Sequence, residues 1–257
     1  MEAGYLNLPP YYDRWQKSYG KDFSTLMLPR LIASVRAHRI GGRTMVDVAC
    51  GTGTLALLMA RRGWDVLGVD ASAGMLLQAK EKLAGLSLPV EFLRQDMREL
   101  ALPHPVHLAT SFFDSLNHLM TAAELGAVFQ RVRDSVVPGG WFVFDTSTER
   151  CFTTLWTKSE KFHHRDFSLM LDNSYDRAAR SAVCHVTLEV AGEGGTVALD
   201  ETVRERFYTV DEVSALLLDA GFTVRECEDF NFTYNPAVGK LKTWWVAEAG
   251  ESRRPQA

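Results

Sequence analysis

The stretch VDVACGTGTLALLMA, residues 46–60, decides how this chain is read. A short run that alternates valine with Asp47 enters a glycine-rich turn, and an apolar segment of helical length follows at once. Gly51 and Gly53 allow the backbone to turn sharply and to approach a ligand with no Cβ in the way. Strand, tight turn and helix in that order open a βαβ unit, with a flat or bulky ligand expected against the turn.

Outward from this turn the same alternation continues. Candidate strands lie at 44–49, 65–70, 90–94, 107–113 and 141–145, the last apolar on both faces as a central parallel strand should be. Between them, Met75, Leu76, Ala79 and Leu83 form one helical stripe. Leu125, Val128, Phe129, Val132 and Val136 form another. Thr121 with Glu124 and Thr209 with Glu212 have capping-box spacing, and Gly63 and Gly221 stand where a glycine closes a helix. The segment Tyr11–His38 reads as helical and broken before Pro29.

After Asp145 the periodicity changes. Val186, Leu188 and Val190 alternate with His185, Thr187 and Glu189, and Val197, Leu199, Val203 and Phe207 share one face. The pattern is that of antiparallel strands joined through 192–195, with 167–176 as a third strand. Three segments are therefore expected: an α/β half over 1–146, an inserted antiparallel sheet over 147–208, and an α/β completion over 209–250 before a polar tail at 251–257. The inserted sheet would cover a substrate site or form a homodimer contact.

The 257 residues carry 46% hydrophobic and 23% charged residues, enough for a sizeable core and unlike a disordered or fibrous chain. Lys and Arg number 28 against 32 Asp and Glu, a net charge of −4 with no basic stripe, which disfavours nucleic acid as a partner. Four scattered cysteines form no metal or disulfide pattern, and no basic-then-apolar leader or membrane-length apolar run is present. A cytoplasmic protein without membrane association is expected.

Glycine spacing alone does not choose the ligand, because Gly51, Gly53 and Ala56 also satisfy the loose dinucleotide rule. Asp47, four residues before the first glycine, argues against an anionic pyrophosphate. S-adenosylmethionine carries a sulfonium and an ammonium and no phosphate, so a carboxylate favours it. Asp70 at the second strand end could accept from two ribose hydroxyls, and Asp96 from an adenine amino group while Met97 packs on the ring. Phe112, Phe113 and Asp114 end the fourth strand beside the place where a methyl group would be delivered.

These residues, with the VPGGWFVFD strand at 137–145, resemble the Rossmann-like S-adenosylmethionine-dependent methyltransferases, closely over 40–146 and more loosely over 203–248. FFDSLNHL at 112–119 and the inserted sheet before ERFYTVDEVSALLLDAGF at 205–222 are similar to bacterial small-molecule members, amino-sugar N-methyltransferases among them. The resemblance implies a seven-stranded sheet in the order 3-2-1-4-5-7-6 with the last strand antiparallel. It implies S-adenosylmethionine as cofactor, with Ala49, Ala71 and Met75 joining the contact set and Tyr12 closing over its methionine end.

The FFDS segment lacks the Asn/Asp-Pro-Pro-aromatic run of members that methylate adenine, cytosine N4 or glutamine, and no Pro-Cys pair supplies a pyrimidine-C5 nucleophile. A small-molecule acceptor is expected, methylated on nitrogen or oxygen. His118 is the candidate general base with Asp114 beside it, and Phe113, Asn117, Arg206 and Tyr208 are candidate substrate contacts. Asp114 and Asn117 lack further ligands, so no metal is expected. An NAD(P)-dependent oxidoreductase and a non-catalytic binding protein of the same fold are the alternatives.

Overall fold

The computed structural model describes residues 5–20, 22–192, 195–231 and 236–251. Of the expected loop at 192–195, residues 193–194 lie outside the described residues, as does most of the tail, 252–257.

Two helices lead, α1 (Pro9–Lys17) and α2 (Phe23–Ala37). Pro29 lies inside α2, so the expected break before it does not occur. The interruption falls earlier, at Gly20 with φ of 103°, and Asp22 restarts the helix by accepting from the Thr25 amide at 2.8 Å. Burial of Met27, Leu28 and Leu31 on one side of α2 outweighs the hydrogen bond that proline cannot donate.

Next come β1 (Thr44–Val48), α3 (Thr54–Ala60), β2 (Asp65–Asp70), α4 (Ala73–Leu83), β3 (Val90–Arg94) and β4 (Val106–Ser111). They are followed by α5 (Ala122–Ser135), β5 (Val136–Ser147) and α6 (Glu149–Leu155). Val136 begins β5 rather than continuing the α5 stripe, and the bend at Pro138–Gly140 shifts the β4–β5 register between Val136 and Trp141. Phe112 and Phe113 fall beyond β4, not within it.

A second sheet then forms from β6 (Glu160–His163), β7 (Phe167–Asp176), β8 (Ser181–Gly192) and β9 (Gly195–Arg206), antiparallel in sequence order. It contains one strand, β6, that the alternation pattern did not reveal. Four residues are too few to show a period. The chain returns to the main sheet through α7 (Val210–Asp219), β10 (Phe222–Phe230) and β11 (Lys242–Ala249).

The main sheet runs β3-β2-β1-β4-β5-β11-β10. Its first five strands pair in parallel, and β11 is antiparallel to both β5 and β10. This is the order implied by the resemblance. Apolar cores fill both faces, Trp244 on the face of α2 and α3 and Trp245 on the face of α5 and α7. Adjacent residues of one strand point to opposite sides, so the centre of β11, Trp244 to Ala247, is apolar on both faces. A third cluster packs Phe167, Leu169, Val186 and Leu188 of the inserted sheet against Leu8, Tyr11 and Trp15 of the N-terminal region.

Candidate active site

The carboxyl ends of β1 to β4 open into a cavity of about 830 Å³. The glycine turn forms its floor, with Ala49, Gly51 and Gly53 all in the left-handed region at φ of 57°, 54° and 72°. The two glycines serve different ends. A Cβ on Gly51 would point into open space within the cavity, so its absence leaves room for a ligand. A Cβ on Gly53 would come within 2.6 Å of the Phe92 ring and 2.9 Å of Ala79. Gly53 therefore permits the turn to seat against Phe92 of β3 and Ala79 of α4, while its neighbours Gly51, Thr52 and Thr54 line the cavity.

Asp70 ties the turn to β2. Its Oδ2 accepts from the Gly51 amide at 2.8 Å and its Oδ1 from the Ser72 amide at 2.8 Å, leaving further lone pairs on both oxygens. Burial raises its pKa against these bonds. Asp47 lies deeper, 3% exposed, with one side-chain donor, Thr110 Oγ1 at 2.7 Å. Burial pushes its pKa up to about 7, the Thr110 bond opposing and the charge of Asp70 adding. A carboxylate so placed gains from any cation that enters.

On the far wall, Asp96 accepts from the Arg98 amide at 2.9 Å and from its guanidinium at 2.6 and 3.0 Å, which hold it below the usual carboxylate range. Asp96 thus starts the short turn Met97–Glu99 as well as lining the cavity beside Met97. Ala71, Met75 and Phe112 also line it, and Phe112 stacks on Trp244 with ring centroids 5.0 Å apart.

The N-terminal helix covers the cavity through Tyr12 and Gln16, with Tyr5 just before it. Asp13 is latched to the glycine turn. Thr52 Oγ1 donates to Asp13 Oδ1 at 2.6 Å, and Lys82 Nζ donates to Asp13 Oδ2 at 2.6 Å and to Thr52 and Thr54 at 2.8 Å. Sequence reasoning missed both Asp13 and Lys82. Sixty-nine positions separate them and neither belongs to a motif, so no local signal points to the pair.

A smaller cavity of about 270 Å³ adjoins the first. Both are bounded by Tyr5, Tyr12, Phe113 and Val203, so the inserted sheet and the N-terminal helix shape their common wall. Phe113 and Asp114 reach it through left-handed backbone, φ of 66° and 50°, with their amides donating to Asp145 at 2.9 and 3.0 Å. Asp114 does not stand free as a base: Lys242, 1% exposed, approaches its Oδ2 at 2.9 Å and Asp145 at 3.5 Å. Burial by itself would lower the lysine pKa, but Asp114 and Asp145 raise it further than burial lowers it, so Lys242 stays charged.

His118 lines the larger cavity. Its Nδ1 lies 3.1 Å from the Arg204 carbonyl, which can only accept, so Nδ1 carries the proton and Nε2 the lone pair. Burial lowers its pKa below the ordinary histidine value, keeping the imidazole neutral near pH 7.

Three expected substrate contacts face elsewhere. Asn117 is fully buried, donating to the Arg206 carbonyl at 2.7 Å and accepting from the Ser147 amide at 2.9 Å. Arg206 pairs with Glu212 at 3.2 Å, and its guanidinium carbon lies 4.5 Å from the Tyr208 ring centroid. Tyr208 is buried and donates to the Thr121 carbonyl at 3.0 Å. The strand ends at Arg206, whose side chain pairs with α7, while Tyr208 reaches the start of α5, and neither lines the cavities. Glu205, one residue earlier, lines the smaller cavity and carried no sequence signal.

A parallel sheet reversed by one antiparallel strand, with acidic groups at several strand ends around one crevice, is the arrangement that the resemblance to Rossmann-like methyltransferases implied. The methyltransferase-domain family matches residues 45–140. A protein of Geobacillus sp. (strain WCH70) named as a methyltransferase is 30% identical over 223 residues, covering 86% of this chain and 85% of its own. A dTDP-3-amino-3,4,6-trideoxy-alpha-D-glucopyranose N,N-dimethyltransferase of Streptomyces venezuelae is 30% identical over 134 residues, 52% of this chain and 54% of its own. Among solved structures, an S-adenosylmethionine-dependent methyltransferase from Clostridium acetobutylicum ATCC 824 superposes with a TM-score of 0.79 at 18% identity, covering 94% and 98% of the two chains. The chain belongs to the S-adenosylmethionine-dependent methyltransferase family.

Proposed function

We propose that this methyltransferase delivers its methyl group to a nitrogen or oxygen of a small molecule. The adjacency of two cavities of unequal size carries the reading, since one of about 830 Å³ can hold the cofactor while one of about 270 Å³ admits only a metabolite-sized acceptor. S-adenosylmethionine supplies a methyl group on a sulfonium, which the acceptor's lone pair displaces with the C–S electron pair leaving on a neutral thioether.

The residues of the larger cavity suit that cofactor. Asp47 offers an undercompensated buried carboxylate to a cationic methionine end, and the Asp70 oxygens have lone pairs left for ribose hydroxyls. Met97 and Phe112 provide apolar surface for a flat ring, and Gly51 leaves the turn open. Tyr5 and Tyr12 close the wall and exclude water from the junction, where alignment of the two reactants supplies most of the acceleration. At that junction His118 Nε2 is an acceptor for the proton of an alcohol or an ammonium. The half-length similarity to the Streptomyces sugar N,N-dimethyltransferase supports a nitrogen acceptor.

Calorimetry tests the cofactor site directly. S-adenosylhomocysteine is expected to bind the wild-type chain, and Asp70→Ala to weaken it by about tenfold or more through loss of charge-assisted bonds. Undiminished binding by the variant, or binding of NAD in its place, would sink the assignment.

A further inference from the structure

Three carboxyl groups, Asp114, Asp145 and Glu205, gather around the single ammonium of Lys242 at the floor of the smaller cavity. Lys242 is engaged by the first two and by Ser147 Oγ at 3.0 Å. Glu205 is left over. It is 3% exposed, it lines the cavity, and its Oε2 has no hydrogen-bond partner among the described residues. A buried carboxyl oxygen without a partner forfeits its hydration for nothing, and native proteins seldom retain one where no ligand uses it.

We propose that the smaller cavity is an amine site, in which Glu205 Oε2 takes an N–H of the methyl acceptor and the aromatic walls hold its body. The proposal rests on the reading of this cavity as the acceptor chamber.

Charge and donor count both favour an amine. His118 Nε2, an acceptor, lies 4.0 Å from Glu205 Oε1, so the two groups present lone pairs on the same side of the junction and neither satisfies the other. An ammonium brings a positive charge and several donors; a hydroxyl brings one donor and no charge. Burial raises the Glu205 pKa well above the ordinary range, with the charges of Asp114 and Asp145 adding and that of Lys242 opposing. An entering cation opposes that shift and stabilises the ionised carboxylate. No group of three or more His, Cys, Asp or Glu among the described residues could hold a metal ion as that cation. Tyr12, Trp15, Tyr19 and Phe23 wall the same space with aromatic surface suited to an organic cation.

Three molecules with one body and different heads, 2-phenylethylamine, 2-phenylethanol and phenylacetate, test the idea by ligand-observed NMR on the full chain loaded with S-adenosylhomocysteine. The amine is expected to bind about tenfold or more tightly than the alcohol, and the carboxylate more weakly than either. Glu205→Gln is expected to abolish the amine preference while the affinities for 2-phenylethanol and S-adenosylhomocysteine stay within about twofold. An amine that binds no better than the alcohol, an amine that does not bind at all, or equal losses for both on substitution overturns the proposal. The wild-type comparison stands even if the variant folds poorly. Failure of S-adenosylhomocysteine to bind the wild-type chain overturns the methyl-transfer reading itself, whereas cofactor binding without amine preference overturns only the role of Glu205.

Discussion

Asp47 shows how one residue can be a cost to the fold and, on the proposed reading, a gain to the site. Buried with a single side-chain donor, it takes a proton up to about pH 7 in the folded chain, against 3.8 for the free group. The sign follows from linkage: between these values the unfolded chain ionises while the folded chain holds its proton, so the folded state loses stability as pH rises through this window. Asp47→Asn, which keeps an acceptor for Thr110, should leave the cofactor-free protein no more stable than wild type below pH 4. At pH 8 its advantage should reach about 2–4 kcal/mol in urea unfolding, together with a loss of S-adenosylhomocysteine affinity of about tenfold or more. Asp47 was legible because it adjoins the glycine turn, where its charge bears on ligand choice. Glu205 was not, since an acidic residue in an alternating strand reads as solvent-facing until the opposing wall is known.

Among the elements, the helices closed by local chemistry were the easiest to read. Both capping boxes are present, Glu212 donating its amide to Thr209 Oγ1 at 3.2 Å while its carboxylate accepts from the Thr209 amide at 2.9 Å. Thr209→Ala should therefore lower unfolding stability by about 1 kcal/mol in urea titration, with S-adenosylhomocysteine affinity unchanged because neither Thr209 nor any residue of α7 lines either cavity. A cap involves residues three apart, so the pattern in the chain is the interaction itself. Pro29 is the counterexample. Its local rule forecast a break, but the apolar side of α2 is held against the sheet by residues distant in sequence, and that packing decides.

At the scale of the molecule, the N-terminal region joins two separately built parts. Asp13 holds it to the glycine turn and Lys82, while on its other side Arg14 pairs with Asp166 at 2.8 Å. The amides of Leu6 and Asn7 donate to Glu201 of the inserted sheet at 2.7 and 3.2 Å. Because α1 also walls both cavities, its order and cofactor binding should be coupled. Asp13→Ala is expected to speed hydrogen exchange of the α1 amides and to weaken S-adenosylhomocysteine by about fivefold or more, with little change in exchange of β1 and β4. Unaltered α1 exchange in the variant would show that the latch does not hold the helix.

The sequence by itself determined the succession of strands and helices apart from β6, the glycine turn and the acidic residues at the strand ends. These depend on periodicity, chain reversal and capping, which act between near neighbours and leave their pattern in the chain. Tertiary structure alone decided the smaller cavity. Pairing of β11 with β5 sets Lys242 opposite Ser147, and the second sheet carries Glu205 to the same wall as Tyr5 and Tyr12. No local pattern links these residues, because their meeting depends on strand register and on how two sheets and a helix pack.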